Sequence, residues 1–452
     1  MAQFSLIKTP AGRRLRIEGE LPDGFQGEAQ GGAWLCPLDA GNAAALRRHL
    51  PWTAPVPVGL RKSVGCGDRL GLATPGHLLA VRAGDMFPVL AQQSIREMTR
   101  SRRTPQQVLD DATWGVFEAD YRDGFGSDAD HLKNTESIDR CIAAGYIGFT
   151  LDPGDHVDNA AHTDDPAALQ AKYAALPWDA LETTPNDLRQ RYLGPSLAGA
   201  MSEQMLLRAA CKYGPALAAA VQLARHIAAG MDGRPYDLEI SVDETETPTS
   251  PAEHYFIASE LLRLGVPFQG LAPRFVGRFE KGVDYIGDLA AFEADFSQHA
   301  HIARELGPYK LSIHSGSDKF SIYPIIARHC GEYVHLKTAG TSWVEALRVI
   351  AQCEPALFRE ILAFALDCYP TDRASYHVSA VCERVSYDLD DAGLPGLLDH
   401  FDARQALHVT FGSVLDRFRE PIYAALSAHE DTYYEVLRQH FNRHIGPFVA
   451  PA

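Results

Sequence analysis

Strand-like and helix-like text alternate along most of this chain, and that alternation restricts its fold more than any other feature. Eight segments place apolar residues at every second position and run into a polar or Gly-containing loop. They are "RLGLATPGH" (69–77), "GVFEAD" (115–120), "YIGFTLDPGD" (146–155), "YDLEISVDETE" (236–246), "VPFQGLAP" (266–273), "YKLSIHSGSD" (309–318), "EYVHLKTAG" (332–340) and "ALHVTFGS" (406–413). Helical text lies between them. "GPALAAAVQLARHIAAG" (214–230) ends at Gly230, and "SPAEHYFIASELLRLG" (250–265) opens with Ser250 as cap and Pro251 at the first helical position. "TSWVEALRVIAQ" (341–352) again starts on a capping residue. Strands that alternate with helices form parallel sheets, and eight such units predict a closed (β/α)8 barrel of the TIM type.

Period-2 patterning then divides each strand into faces. Leu238, Ile240, Val242, Leu311, Ile313, Val334, Leu336, Ile147, Phe149 and Leu151 are expected to face the helices. Glu239, Ser241, Asp243, Lys310, Ser312, His314, His335, Lys337, Gly148, Thr150, Asp152, His408 and Thr410 are expected to face the barrel interior. The last polar residue of each strand falls at the C-terminal rim, where barrel enzymes place their chemistry. Residues 1–60, rich in Gly and Pro, read as an N-terminal extension packed on a barrel of residues 61–452. The long connections 156–235 and 341–405 hold extra helices.

Composition narrows the class. A net charge of -16 argues against nucleic acid or an anionic membrane as partner, so an anionic substrate must be held by local cations. The eight cysteines show no CxxC pair and read as reduced core residues, with no zinc–thiolate site. Without a signal-like start or an apolar run of membrane length, the expected location is the cytoplasm. No helix shows a self-association seam, which leaves the oligomeric state open.

The rim carries the candidates. His131 lies in "GFGSDADHLKN" (124–134), which reads as a Gly-flanked loop with Asp128, Asp130 and Lys133 beside it. His314 and His335 take matching rim positions on adjacent strands, a pattern that suits a metal. Asp243, Glu244 and Glu246 crowd the end of the fourth strand, so at least one is perturbed, paired or metal-bound. Asp152 is open to two readings, as a ligand or a turn residue. Arg274, Lys319 and Lys337 can neutralise an acidic substrate, and the small residues from Ser315 to Asp318 can hold a carboxylate or hydroxyls. No GxGxxG follows a strand and no GxSxG elbow appears, so neither a nicotinamide site nor a serine hydrolase is expected.

"GDRLGLATPGHL", "SDADHLK", "SVDETETPT", "KLSIHSGSDKFSIYP" and "VHLKTAGTSW" together resemble the tagaturonate epimerase family of bacterial hexuronate catabolism. The resemblance implies a barrel, one divalent cation (Zn, Mn, Co or Ni) and interconversion of tagaturonate with fructuronate, with tagatose and fructose as further substrates. It implies His131, His314 and His335 as metal ligands and Asp130 with Glu244 as the acid/base pair. Lys133, Asp152, Arg274, Ser315, Asp318, Lys319, Lys337 and Thr338 are the substrate-binding candidates, with a keto-uronate or ketose as the small-molecule partner. The alternatives are a metal-dependent ketose–aldose isomerase on the same barrel and a non-enzymatic sugar-binding protein.

Overall fold

The structure is a computed structural model that describes residues 2–9, 12–386 and 388–449. Eight parallel strands close a barrel: β1 (Ser63–Cys66), β2 (Phe87–Ser94), β3 (Gly126–Leu132), β4 (Gly148–Leu151), β5 (Asp237–Val242), β6 (Gly270–Pro273), β7 (Lys310–Ile313) and β8 (Val334–Thr338). They pair in chain order, and β8 closes on β1. The (β/α)8 fold is as the alternation predicts. Leu238, Ile240, Val242, Leu311, Ile313, Val334, Leu336, Phe149 and Leu151 are all buried on the core side.

Five of the eight predicted strands are β4 to β8; the other three lie elsewhere. Segment 69–77 is a turn running into a helix, Thr74–Val81. The Asp68 side chain accepts from the backbone N–H groups of Leu70, Gly71 and Ala73, which bends the chain away just after β1. Segment 115–120 is the end of the helix Pro105–Glu118, started by a Thr104/Gln107 capping box with Pro105 inside it. Segment 406–413 spans two helices, Phe401–Val409 and Phe411–Ala428. His408 and Thr410 are therefore not interior strand residues. The stretch from Ala403 to Phe411 is buried throughout, and text buried on every side carries no usable period. Conversely, "GSDADHL" reads as a polar loop yet forms β3, because its polar side chains face a charged barrel interior.

Ahead of the barrel, Gln3–Thr9, Gly12–Glu18, Ala33–Cys36 and Glu28–Gln30 form a four-stranded antiparallel sheet in that spatial order. Its small core (Leu15, Ile17, Phe25, Cys36, Leu46) includes Trp114 from the barrel helix Pro105–Glu118. The connection after β4 holds two short helices, a hairpin and the 29-residue helix Glu203–Met231. After β8 the chain continues through helices Thr341–Cys353 and Pro355–Asp372 to the last one, Glu430–Ile445. No helix among the described residues is long and apolar enough to cross a membrane.

Candidate active site

The barrel interior is charged at its C-terminal half. Lys337 of β8 stands at the centre, fully buried. Its ammonium lies 2.7 Å from Asp130, 2.8 Å from Asp128 and 3.0 Å from Glu239, and donates to Thr150 Oγ1 at 2.7 Å. Burial opposes its charge, but these carboxylates more than offset that and hold its pKa well above the usual lysine value. Burial likewise opposes the Asp130 and Glu239 charges, and Lys337 overrides it, so both lie below the ordinary carboxylate range. Asp128 is the exception, pushed up by burial.

Two histidines lean over this network. A register shift in the β3–β4 pairing lies between Ala129 and Leu132, and His131 within it takes a left-handed backbone with φ +53°. Such a bulge re-aims a side chain at a rim. His131 Nδ1 donates to Asp152 Oδ2 at 3.1 Å, which leaves Nε2 turned toward Asp130 Oδ1 at 3.9 Å. His314, the residue after β7, donates from Nε2 to Glu239 Oε1 at 2.6 Å. Its Nδ1 lies 3.1 Å from Asp243 Oδ1, an ion-pair contact whose angle falls short of a regular hydrogen bond. The two rings meet edge to face at 5.0 Å.

His314 thus has a carboxylate beside each nitrogen, whereas His131 gives one nitrogen to Asp152 and turns the other toward Asp130. A carboxylate on one ring nitrogen is how metal-binding histidines are oriented. Ligand atoms of Asp130, His131 and His314 lie within 4.8 Å of one another, as do those of His131, Asp152 and Glu244. The acids outnumber the lysine, and the surplus attracts positive charge. Burial works against protonation of His131 and His314, yet Asp130 lifts the first to about 9 and Asp243 the second to about 10. A divalent cation at the same point meets the same demand.

The cluster opens into two joined chambers. The inner one is lined by Arg69, Arg96, Asp130, His131, Lys281, His314, Ser315 and His408. The outer one encloses about 480 Å³ and adds Asp243, Glu244, Arg274 and Phe275, and Tyr376 lines both. His408 reaches the floor because Gly340 lacks a side chain: a Cβ there would sit 2.1 Å from the His408 ring.

Comparison with known proteins bears on this arrangement. The sequence model of the tagaturonate epimerase family matches residues 13–447. A Thermotoga maritima protein named tagaturonate/fructuronate epimerase is 42% identical over 98% of this chain and 93% of its own. The chain belongs to the tagaturonate epimerase family. It is a carbohydrate epimerase. The glycerol-complexed crystal structure of the fructuronate-tagaturonate epimerase from Cohnella laeviribosi superposes with a TM-score of 0.94 at 37% identity, over 99% of this chain and 94% of that one. Its native form gives 0.93 over the same shares.

Within the epimerase, the predicted site residues separate into three groups. Asp130, His131, His314, Asp152, Glu244, Ser315 and Lys337 come together at the rim, with Arg274 in the outer chamber. Lys133 stays at the edge, 2.7 Å from Asp155 and 3.6 Å from Asp152. The third group lies outside the chambers.

His335 is not at the level of His314. It pairs in register with Ser312 and Ser63, two residues deeper, and its Nδ1 meets Ser63 Oγ at 2.9 Å. Burial pushes its pKa down to about 3. Two residues of one inward face were read as level when they stack one above the other. Asp318 is tied to Arg404 and His440 at 2.9 and 2.6 Å, away from the chambers. The Lys319 ammonium donates to three backbone carbonyls, those of Glu280, Val283 and Ser317. Thr338 Oγ1 donates to Gly65 O at 2.6 Å and fastens β8 to β1.

Arg96, Lys281 and Tyr376 were not foreseen. Arg96 follows β2, whose text was not recognised as a strand, and Lys281 sits in an irregular loop with no period to mark it.

Proposed function

We propose that this epimerase interconverts tagaturonate and fructuronate by breaking and re-forming the C–C bond beside the carbon it inverts. The substrate pair is that in the names of its relatives, and they are similar over nearly the whole chain. The inverted carbinol carbon is β to the ketone, so its hydrogen gains no acidity from enolisation. Cleavage avoids that hydrogen. A base takes the proton of the carbinol hydroxyl, the C–O bond becomes a carbonyl, and the C–C electron pair passes into the ketone half as an enediolate. The aldehyde half then turns its other face, the pair returns, and the proton is given back.

The observation that carries the reading is the pair of histidines in contact, each fixed through one nitrogen by a carboxylate, with ligand atoms of Asp130, His131 and His314 within 4.8 Å of one another. Asp130, His131 and His314 would hold the divalent cation, and imidazole with carboxylate suits Zn, Mn, Co or Ni. The cation supplies Lewis acidity for the charge that develops on the ketone half. Glu239 and Asp152 fix the tautomers of the two rings. Lys337 and Gln92 hold the Asp130 oxygens at 2.7 and 3.2 Å, which makes Asp130 a ligand in this reading and not a proton carrier. Glu244 is the proton carrier. It stands 38% exposed at the mouth, beside His131 and Asp152, with Arg96 at 3.6 Å.

Turnover in deuterated water tests the bond that breaks. The inverted carbon should remain unlabelled, and 13C-dihydroxyacetone, the ketone half, should be incorporated into the uronate pool. Stoichiometric deuterium at that carbon, or no incorporation, would overturn C–C cleavage.

A further inference from the structure

Six lysines and arginines line the two chambers, and most have their charge already answered. Lys337 is surrounded by three carboxylates, Arg69 binds Glu97 at 2.8 Å, Arg278 lies 3.6 Å from Glu280 and Arg96 lies 3.6 Å from Glu244. Lys281 and Arg274 have no carboxylate in ion-pair contact among the described residues. They differ in place. Arg274 lines only the outer chamber, whereas Lys281 lines both and donates to Ser315 Oγ at 2.7 Å. Ser315 is the neighbour of His314 and takes a left-handed backbone with φ +49° that presents it to the site. Arg96 adds a buried Nε–H with no acceptor.

The chemistry asks for an anion at this point. In a keto-uronate one carbon separates the carboxylate from the carbon being inverted. A carboxylate must therefore lie within a few ångströms of the His131–His314 cluster. After cleavage, the carboxylate is also the only charge on the aldehyde half, and so the one strong handle by which that half can be retained while it turns.

We infer that Lys281, assisted by Ser315 and Arg96, seats the substrate carboxylate and sets the preference for a uronate over a neutral ketose. The inference rests on the substrate reading above. An ammonium held by a hydroxyl alone gains a charge-assisted partner when the uronate binds, and a neutral ketose leaves it unanswered. Lys281 is thus a binding and specificity residue, and its loss acts on KM more than on kcat.

The test compares Lys281→Met and Lys281→Gln with Arg274→Met, each checked for an unchanged circular dichroism spectrum. Steady-state rates are measured with fructuronate and with fructose, and inhibition with glycerate and with glycerol, its uncharged counterpart. Both Lys281 variants should raise the fructuronate KM and weaken glycerate inhibition by on the order of 10²-fold. The ratio of kcat/KM for fructuronate to that for fructose should fall similarly, and Lys281→Arg should recover part of the loss. Arg274→Met should change these values by only a few-fold. Glycerate inhibition within twofold of the parent in both Lys281 variants, or a larger loss in Arg274→Met, would overturn the assignment. If the parent enzyme turns over neither uronate, it is the substrate reading that fails.

Discussion

His314 and His335 show what one residue's sequence context reveals. Period 2 assigns both to the interior face, and both are there. It does not give depth, because which residues are level depends on the stagger between neighbouring strands. Here Ile313 pairs with Leu336 and Ser312 with His335, so His314 clears the end of β7 while His335 stays a layer below. Their surroundings then diverge, with one ring set between Glu239 and Asp243 and the other held neutral against Ser63. A panel of single variants separates these roles by metal analysis after dialysis. His131→Ala and His314→Ala should lose bound metal together with activity. His335→Ala should retain it. Glu244→Gln should also keep its metal, while kcat falls by ~10²–10⁴-fold, the usual reach of a general acid–base group. Metal lost from His335→Ala and kept by His314→Ala would reverse the ligand assignment.

Among the elements, β5, β7 and β8 were legible because each has one apolar face toward the helices and one polar face toward the site. The same asymmetry hid β3. A strand carrying Ser127, Asp128 and Asp130 inside a charged barrel has the composition of a turn, and the Lys337 ammonium across the barrel, with Thr150 and Gln92, makes it tenable. β1 is only four residues long and ends on Gly65 and Cys66, so the alternating pattern places the first strand beyond it, at 69–77. Asp68 is the device that ends β1, accepting three backbone N–H groups at 2.7 to 2.9 Å while buried. Asp68→Ala strands those donors and should cost about 3 kcal/mol, visible as a lower urea midpoint. Asp68→Asn, which keeps one acceptor oxygen, should cost less. Equal losses in the two variants would show that the turn does not depend on the number of accepting oxygens.

At the scale of the whole molecule, the site is held shut from behind. Asp318, at φ +62° in the loop after β7, ties to Arg404 of helix Phe401–Val409 and to His440 of the last helix. Glu345, in the helix after β8, meets the same Arg404 and His440 at 3.1 and 3.4 Å. The last helix also accepts the Asp318 backbone N–H on His444 Nε2 at 3.0 Å. Three distant helices thus converge behind the loop that carries Ser315 and Ser317, a convergence that no local pattern announces. Its pH dependence has a determinate sign. Burial opposes the Asp318 and Glu345 charges, but Arg404 and His440 hold Asp318 well below the ordinary range and His440 and Arg404 hold Glu345 at about 2. Such carboxylates stabilise the fold above their unfolded values, near 4, and that stability is lost as pH falls through the folded ones. Buried His444 is pushed down to about 3 and His77 to about 4. Each is neutral in the fold but protonates near 6.5 when unfolded, so stability falls as pH drops below about 6.5. The urea midpoint should therefore decline in two overlapping steps, the histidine step above the carboxylate step. His444→Gln, whose amide oxygen can still accept the Asp318 N–H, should flatten the upper step, and Asp318→Asn the lower. A midpoint that stays level from pH 7 down to 4 in the parent chain would mean that these buried groups are not linked to folding.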